Sequence, residues 1–327
     1  EPTVAHILHD TYKPIDDARG GAEYRRGLVV SLWEKFVSGE QSQAQDADLG
    51  FAQDSRWPVA DASRNLGHES AVGHVTGRAL YVDDTAQRRK MLDCWPVCAP
   101  HARAKILRRD ATKARQALGI HGVLLAEDIP GENNTGPVRH DEPLLAQDEV
   151  LFHGQMVAWV VGESLAACRA AAALLEVDYE PLPPIIGLPA AIAAGSYHTE
   201  PHALKRGDTA TALATAPTRF EGVFEFGGQE HFYLETHAVW AEAGEEGSVL
   251  VNSSTQHPSE IQAIVAEMLH LARHKVVVQA PRMGGGFGGK ETQAGHLAVW
   301  AAIAAHKLGR PVKLRLDRDD DFMVTGK

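Results

Sequence analysis

The apolar positions follow a helical period in the first part of the chain, and a polar segment separates that part from the rest. Apolar side chains recur at helical spacing over residues 22–37, which predicts an amphipathic helix with one face against a partner. An isolated helix of this length is marginally stable, so it needs that partner. Residues 40–65 are rich in Gln and Asp and have no period, which predicts a linker or a mobile loop.

Short strand-like and helical patterns alternate from about residue 70 onward. Strand patterns cover residues 78–82, 122–126 and 157–161. An alanine-rich helical pattern begins at Ser164 and runs to about Leu175, and a strand pattern continues to Tyr179. These segments predict a compact mixed α/β module that ends near residue 190.

The last part of the chain combines four strand patterns with two helices. The strand patterns cover residues 218–226, 249–252, 275–279 and 312–316. One helix begins at Pro258, and a longer one covers residues 292–308 and ends at Gly309. The run from Arg318 to Asp321 is highly charged and predicts a solvated turn. The fold class predicted for the whole chain is α+β.

Charge and composition exclude several classes of protein. The 327 residues carry 32 basic and 43 acidic side chains, a net charge of −11, which argues against binding to nucleic acid or an anionic membrane. The apolar runs are much shorter than the roughly 20 residues of a spanning helix. Residues 1–20 are polar and give no sign of a signal peptide, and three cysteines fit a reducing compartment, so a cytoplasmic location is predicted. Because the chain starts with Glu1 and stops at Lys327 without a closing element, we interpret it as a fragment.

The most informative segment is a glycine-rich loop between a predicted strand and a predicted helix. Residues 282–292 read RMGGGFGGKET, with five glycines in six positions. Such a loop presents bare N–H groups at the positive end of a helix, which suits an anion, although a tight turn is the simpler alternative. The spacing from Gly284 to Lys290 matches the start of a phosphate-binding loop, but Glu291 stands where Ser or Thr should hold Mg²⁺. A dinucleotide fingerprint also fits poorly, because no ribose-binding acid follows.

Three long motifs in register resemble the xanthine dehydrogenase family of molybdenum hydroxylases. They are FGGQEHFYLETH at residues 226–237, SSTQHPSEIQ at 253–262 and the glycine loop itself. VTGRALYVDD, DIPGENNTGP and HGQMVAWVVGES resemble the small α/β hammerhead domain of that family, and ARGGAEYRRGLVVSLWEKFV resembles the last helix of its FAD domain. The resemblance therefore implies the tail of an FAD domain at residues 1–40, a linker at 41–65, a hammerhead domain at 66–195 and the first part of a mixed α/β molybdenum-cofactor-binding domain at 200–327.

The resemblance implies a role for each matching site residue. Gln256 would hydrogen-bond the oxo ligand of a molybdenum–molybdopterin cofactor, and Gly286, Phe287 and Gly288 would contact that cofactor through the loop. Molybdenum would be held through the pterin, so no side chain of the chain is expected to ligate the metal. Glu291 would be the catalytic carboxylate that binds a purine and helps to redistribute charge over its ring.

The implied activity is hydroxylation of hypoxanthine or xanthine with oxygen from water. Electrons would pass to 2Fe-2S clusters and FAD in parts of the enzyme outside this chain, and the full enzyme is expected to be a homo-oligomer. The general base, the substrate arginine and the stacking phenylalanines of the family are not placed in this chain. We therefore expect the isolated 327 residues to be inactive.

Two alternatives remain open at this point. Aldehyde oxidases have a similar loop but commonly lack a carboxylate at the position of Glu291, and a non-catalytic binding or assembly module would keep the fold without the chemistry. Gln229, Glu230 and Glu235 are consistent either with a direct cofactor contact or with packing that supports the loop.

Overall fold

A computed structural model describes residues 2–14, 21–38, 70–136 and 139–325 of the chain. The chain divides into two units, Glu1–His68 and Glu69–Lys327, each of which has its own internal contacts. The predicted linker at residues 41–65 lies outside the described residues.

The first unit contains two helices in contact with each other, α1 (Pro2–Thr11) and α2 (Ala22–Ser38). Helix α2 confirms the predicted helix at residues 22–37. None of its residues is buried, and Phe36 at the end of the apolar stripe is 78% exposed. The contact with α1 therefore leaves most of the predicted apolar face uncovered.

The second unit contains two β-sheets and a set of helices, several of which pack on the sheets. Its strands are β1 (Leu92–Cys98), β2 (Ala104–Asp110), β3 (Ile120–Leu124), β4 (Glu149–Val150), β5 (Met156–Gly162), β6 (Glu176–Pro181), β7 (Ala238–Ala243), β8 (Val249–Ser253), β9 (Val276–Gln279) and β10 (Val312–Arg315). Its helices are α3 (Ala71–Val75), α4 (Val82–Gln87), α5 (Thr112–Arg115), α6 (Leu165–Ala172), α7 (Leu188–Ala193), α8 (Thr209–Thr215), α9 (Pro258–Met268), α10 (Gln293–Leu308) and α11 (Arg318–Val324).

The larger sheet has seven strands in the order β3-β5-β1-β10-β7-β8-β9. Strand β1 pairs with β10 in parallel, with Leu92 opposite Val312, and this pairing joins the strands of residues 92–162 to those of residues 238–315. The smaller sheet has the order β4-β2-β6 and is antiparallel. The two predicted modules therefore share one continuous sheet.

Helix α10 forms the centre of the core. It is apolar on almost every side, and residues 297–305 are all nearly fully buried, as is expected of a helix surrounded by other elements. It packs against α9 and against β7 and β10, and its Trp300 ring stacks on Trp159 of β5 with centroids 5.6 Å apart. The helix ends at Gly309, whose left-handed φ of 62° provides the cap predicted from the sequence.

Three local predictions are wrong. Residues 218–226 form no strand, and Phe220, Phe224 and Phe226 are exposed. The predicted strand at residues 78–82 is irregular up to Tyr81, the residue that caps the N-terminus of α4; the side chain of Asp84 accepts a hydrogen bond from the Tyr81 N–H. The predicted solvated turn at residues 318–321 is the first part of α11. Across the described residues, no helix combines the length and apolar character that crossing a bilayer requires.

Candidate functional site

The candidate residues meet at one edge of the larger sheet. Strands β8 and β9 are parallel neighbours, so their carboxyl ends lie at the same edge. Gln256 follows β8 and precedes α9, while the glycine loop of residues 282–292 follows β9 and leads into α10. The topology therefore brings together two motifs that lie about thirty residues apart in the sequence.

Gln256 is held against the loop by three hydrogen bonds. Its backbone N–H donates to the Lys290 carbonyl at 2.9 Å. Its side-chain Oε1 accepts from the backbone N–H of Gly288 at 2.9 Å and from that of Lys290 at 3.3 Å. Because Oε1 faces two donors, Nε2 is the free end of the amide, and it has no partner among the described residues. The exposed end of Gln256 is thus a neutral donor, as its predicted role requires.

Close packing explains why three positions of the loop are glycine. A Cβ at Gly284, Gly286 or Gly289 would lie 2.5 to 2.8 Å from the side chain of Glu235, Gln256 or Tyr233, respectively. Such distances are too short for a methyl group, so each of these residues has to be glycine for the loop to rest on its neighbours. The glycines therefore serve the packing of the loop, and the N–H groups of Gly284, Gly288 and Gly289 donate to acceptors within the chain rather than to an anion.

The outer side of the loop is strained and open. Gly285 and Gly288 have φ values of +98° and +97°, which only glycine adopts readily. Phe287 lies between them with φ +55°, an uncommon conformation for a bulky residue, and its side chain is 74% exposed. Glu291 is also exposed and makes no hydrogen bond or ion pair within the described part of the chain. Phe287, Gly288 and Glu291 thus face outward on the same loop that holds Gln256.

Lys290 lies beneath the loop and is fully buried. Its Nζ donates to the Glu235 carbonyl at 2.6 Å and to Ser254 Oγ at 2.8 Å. Burial lowers the pKa of the Lys290 ammonium, and the nearby carboxylate of Glu235 opposes that shift. A phosphate-binding lysine has to reach its ligand, so the phosphate-loop interpretation of residues 284–290 does not fit.

From the sequence, Lys290 stood out only as part of a phosphate-loop pattern. Glu235 could be assigned either a direct cofactor contact or a packing role that supports the loop. The structure places the Glu235 carboxylate on the loop: Oε2 accepts from the Gly284 N–H at 2.7 Å. Nothing local in the sequence marks Lys290 as buried.

The residues present fit a molybdopterin cofactor. The site offers a neutral amide donor at Gln256 Nε2 and an exposed backbone at Gly288, which suit an oxo group and the polar edge of a pterin better than a multiply charged phosphate. In addition, Glu235 Oε1 is buried with no hydrogen-bond partner among the described residues. Because buried polar atoms are normally hydrogen-bonded, we expect a donor from outside the described residues to reach Glu235 Oε1. Within the same residues, no three His, Cys, Asp or Glu side chains group to bind a metal ion directly.

Family models match two consecutive parts of the chain. A model described as aldehyde oxidase and xanthine dehydrogenase, a/b hammerhead domain, matches residues 76–183. A model described as molybdopterin cofactor-binding domain matches residues 194–327. The predicted fold class, a hammerhead domain followed by part of a mixed α/β cofactor domain, is thereby confirmed.

Curated relatives agree with these models. The chain is 41% identical to a xanthine dehydrogenase of Drosophila pseudoobscura pseudoobscura, over 94% of this chain and 25% of that protein. It is 36% identical to a xanthine dehydrogenase of Dictyostelium discoideum (94% and 24%) and 38% identical to a xanthine dehydrogenase/oxidase of Mus musculus (95% and 26%). The chain thus spans about a quarter of the length of these relatives.

Solved structures with a similar fold point to the same family. The aldehyde oxidoreductase from Desulfovibrio gigas matches with a TM-score of 0.72 and 29% identity, over 79% of this chain and 30% of that one. A CO dehydrogenase from Oligotropha carboxidovorans matches with a TM-score of 0.66 and 28% identity, over 80% and 35%. Together with the motifs and the site geometry, these findings show that the chain belongs to the aldehyde oxidase and xanthine dehydrogenase family of molybdopterin proteins.

Proposed function

We propose that this chain forms the first part of the molybdenum site in an enzyme that hydroxylates a purine with oxygen from water. The observation that carries the proposal is the fixed amide of Gln256, whose donor end is free beside the exposed glycine loop. The molybdenum–molybdopterin cofactor, when bound, supplies the redox chemistry. The residues of this chain bind that cofactor and orient the substrate against it.

Gln256 and the loop form the cofactor-binding part of the site. Nε2 of Gln256 would donate a hydrogen bond to an oxo group of the bound cofactor, for which a neutral donor is suited. Gly286, Phe287 and Gly288 would contact the cofactor through the loop; the missing side chain at exposed Gly288 permits close approach, whereas the missing side chain at buried Gly286 makes room for Gln256. The high exposure of the Phe287 ring in this chain is consistent with a surface that a large group covers.

Glu291 binds the purine. A carboxyl group accepts a hydrogen bond from a ring N–H and can pass a proton to a ring nitrogen as negative charge builds up on the ring during nucleophilic attack. It lies next to Thr292, the cap of α10, where the positive end of the helix favours a negative side chain. Aldehyde substrates have no ring N–H to hold, so a carboxylate at this position favours purines over aldehydes. The relatives named xanthine dehydrogenase agree with this choice.

The remaining parts of the enzyme complete the reaction. We infer that residues 1–40 are the end of an FAD domain, that 41–65 are a linker, and that 66–195 and 200–327 are the hammerhead domain and the start of the cofactor domain. The 2Fe-2S clusters and FAD, on segments outside this chain, would supply the onward electron transfer, and the full enzyme would be a homo-oligomer. The three free cysteines favour a cytoplasmic location. Because the chain spans about a quarter of its relatives, the isolated 327 residues should not turn over.

The test compares Glu291→Gln with the unchanged full-length protein on xanthine, hypoxanthine and an aromatic aldehyde. Loss of the carboxylate should lower kcat/KM for the purines by about 100-fold or more, the usual range for a lost acid–base group, and change aldehyde turnover by less than about 3-fold. Glu267→Gln, an exposed glutamate of α9, is the control.

Two other results would each favour a different function. Efficient turnover of the aldehyde alone would favour an aldehyde-type enzyme, which the match to the Desulfovibrio gigas aldehyde oxidoreductase makes the second candidate. A full-length protein that contains no molybdenum and oxidises neither class of substrate would be a binding module.

A further inference from the structure

A single residue, Glu235, holds both ends of the glycine loop. At the first glycine, the Glu235 carboxylate accepts from the Gly284 N–H at 2.7 Å, and the Glu235 N–H donates to the Gly284 carbonyl at 3.1 Å. At the other end, the Glu235 carbonyl accepts from Lys290 Nζ at 2.6 Å. The segment that carries Glu235 thus fixes where the loop begins and where it ends.

Ser254 closes a triangle with these two side chains. Lys290 Nζ donates to Ser254 Oγ at 2.8 Å, and Ser254 Oγ donates to Glu235 Oε2 at 2.6 Å. Lys290 and Ser254 are fully buried, and the Glu235 side chain is only 12% exposed. Ser254 also lies two residues before Gln256 in the sequence. The triangle therefore links the loop to the segment that carries the amide donor.

The backbone of Lys290 completes the link to Gln256. The Lys290 N–H donates to Gln256 Oε1 at 3.3 Å, and the Lys290 carbonyl accepts from the Gln256 N–H at 2.9 Å and from Thr255 Oγ1 at 3.1 Å. A shift of Lys290 would therefore move the acceptor end of the Gln256 amide. Because the amide is planar, its donor end would turn with it.

The ammonium of Lys290 has little freedom to move. It contacts the Glu235 carbonyl, Ser254 Oγ and the face of the Tyr233 ring, whose centroid is 4.6 Å from Nζ. The Glu235 carboxylate lies 3.5 Å away and balances its charge. Replacement of a buried charge pair by apolar side chains of the same volume is often neutral for stability, so we assign the role of this pair to the geometry that it imposes on the loop.

We propose that Glu235, Ser254 and Lys290 form a positioning clamp, which sets the curvature of the glycine loop and the direction of the Gln256 donor before the cofactor arrives. That Gln256 Nε2 donates to a molybdenum cofactor rests on the proposed function. The clamp itself rests on the hydrogen bonds among Glu235, Ser254 and Lys290. The three residues act through the loop and through Gln256, and none of them is a catalytic residue.

The first test measures hydrogen exchange in the cofactor-free full-length protein. Lys290→Met and Ser254→Ala each remove one corner of the triangle, and with it two of the three side-chain contacts. The amides of residues 284–290 should then exchange about 10-fold faster or more, which corresponds to a local loss of ~1.4 kcal/mol. The peptide of α9 should be unchanged. Lys307→Met is the matched control, because it removes a lysine that pairs with Asp128 at the far end of α10. If the loop amides exchanged at the wild-type rate in both Lys290→Met and Ser254→Ala, the proposal would be wrong.

The second test separates positioning from simple stability. The double variant Glu235→Gln/Lys290→Met contains neither charge, so its thermal midpoint should recover most of what Lys290→Met loses. If the clamp positions the loop, the double variant should still show fast loop exchange, a lower molybdenum content per chain and an altered absorption spectrum of the bound cofactor. A double variant with a wild-type midpoint, wild-type exchange and wild-type molybdenum content would show that the triangle only stabilises the fold.

The two proposals fail in different ways. A wild-type full-length protein without molybdenum would contradict the proposed function, while the exchange measurements on cofactor-free protein would still decide for or against the clamp.

Discussion

Tyr233 donates a 2.5 Å hydrogen bond to Oδ1 of Asp321, a residue 88 positions later in the chain, and both side chains are 1% exposed. The other oxygen of the carboxylate accepts from the backbone N–H of His237 at 2.7 Å. The ring of Tyr233 is the surface on which the glycine loop rests, since a Cβ at Gly289 would lie 2.8 Å from its Cε1. Asp321 therefore supports the site from the first turn of α11.

Replacement of Asp321 by Asn should destabilise the protein in a pH-dependent way. Burial tends to raise the pKa of Asp321, but hydrogen bonds from His237 and the Tyr233 hydroxyl lower it to about 2, together with the charge that His237 carries when protonated. Burial lowers the pKa of His237 itself, so the hydrogen bonds alone act at neutral pH. The stabilisation is thus complete above pH ~4, where an unfolded Asp is ionised, and disappears as the pH falls towards 2. We expect Asp321→Asn to lower the free energy of unfolding by about 2 kcal/mol at neutral pH.

Urea unfolding of the wild type and the variant between pH 2 and 7 measures this difference. Asp319→Asn is the control, because Asp319 is an exposed residue in the same turn. A difference between wild type and Asp321→Asn that stays constant down to pH 2 would contradict the assignment of the shift to Asp321.

The sequence predicted helices α9 and α10 well because their signals are local. Pro258 marks the start of α9, and Gly309 ends α10 with the left-handed cap that glycine favours. The apolar spacing between such signals depends only on neighbouring residues. Strands β5 and β8 were predicted for the same reason, as short apolar runs.

The sequence failed where a distant partner decides the structure. The charges of residues 318–321 are typical of a surface turn, yet Asp321 is buried against His237 and Tyr233. These partners lie 84 and 88 positions earlier in the chain, so no local pattern reveals the contact. The alternation of residues 218–226 favours a strand, but no neighbouring strand pairs with it within the described residues. The contact between Gln256 and the loop likewise depends on the parallel pairing of β8 with β9, which no local pattern reveals.

Replacement of Gly286 by Ala should displace Gln256. The added Cβ would lie 2.5 Å from Gln256 Oε1, so either the amide turns or the loop lifts. We expect a loss of stability of about 1–3 kcal/mol, the usual range for overpacking, and a fall in molybdenum content. Thermal unfolding and elemental analysis of the full-length protein measure both. Gly222→Ala is the control, because a Cβ there meets nothing within 4 Å; equal effects of the two substitutions would refute the packing argument.

Replacement of Gln256 by Glu should separate loop structure from cofactor binding. A carboxylate oxygen still accepts from the N–H groups of Gly288 and Lys290, so hydrogen exchange of the loop should stay within about 2-fold of wild type. The free end of the side chain becomes an acceptor and repels an oxo ligand. We therefore expect molybdenum content and turnover to fall together. Gln116→Glu, at an exposed position, controls for the added charge. Full molybdenum content in Gln256→Glu would exclude a donor role for this side chain.

Replacement of Phe287 by Gly should affect function without a comparable loss of stability. The φ of +55° costs a bulky residue about 1 kcal/mol or more, which glycine avoids. Glycine also raises the conformational entropy of the unfolded chain, which destabilises the folded state by about 0.4–1 kcal/mol. The relief of backbone strain and this entropy cost therefore nearly cancel. The exposed ring contributes little packing, and we expect the thermal midpoint to change by less than about 2 °C. If the strained position serves the cofactor, molybdenum content or turnover should nevertheless fall. Phe220→Gly, at another exposed phenylalanine, is the control, and a stable Phe287→Gly enzyme with full activity would show that the strain has no role at the site.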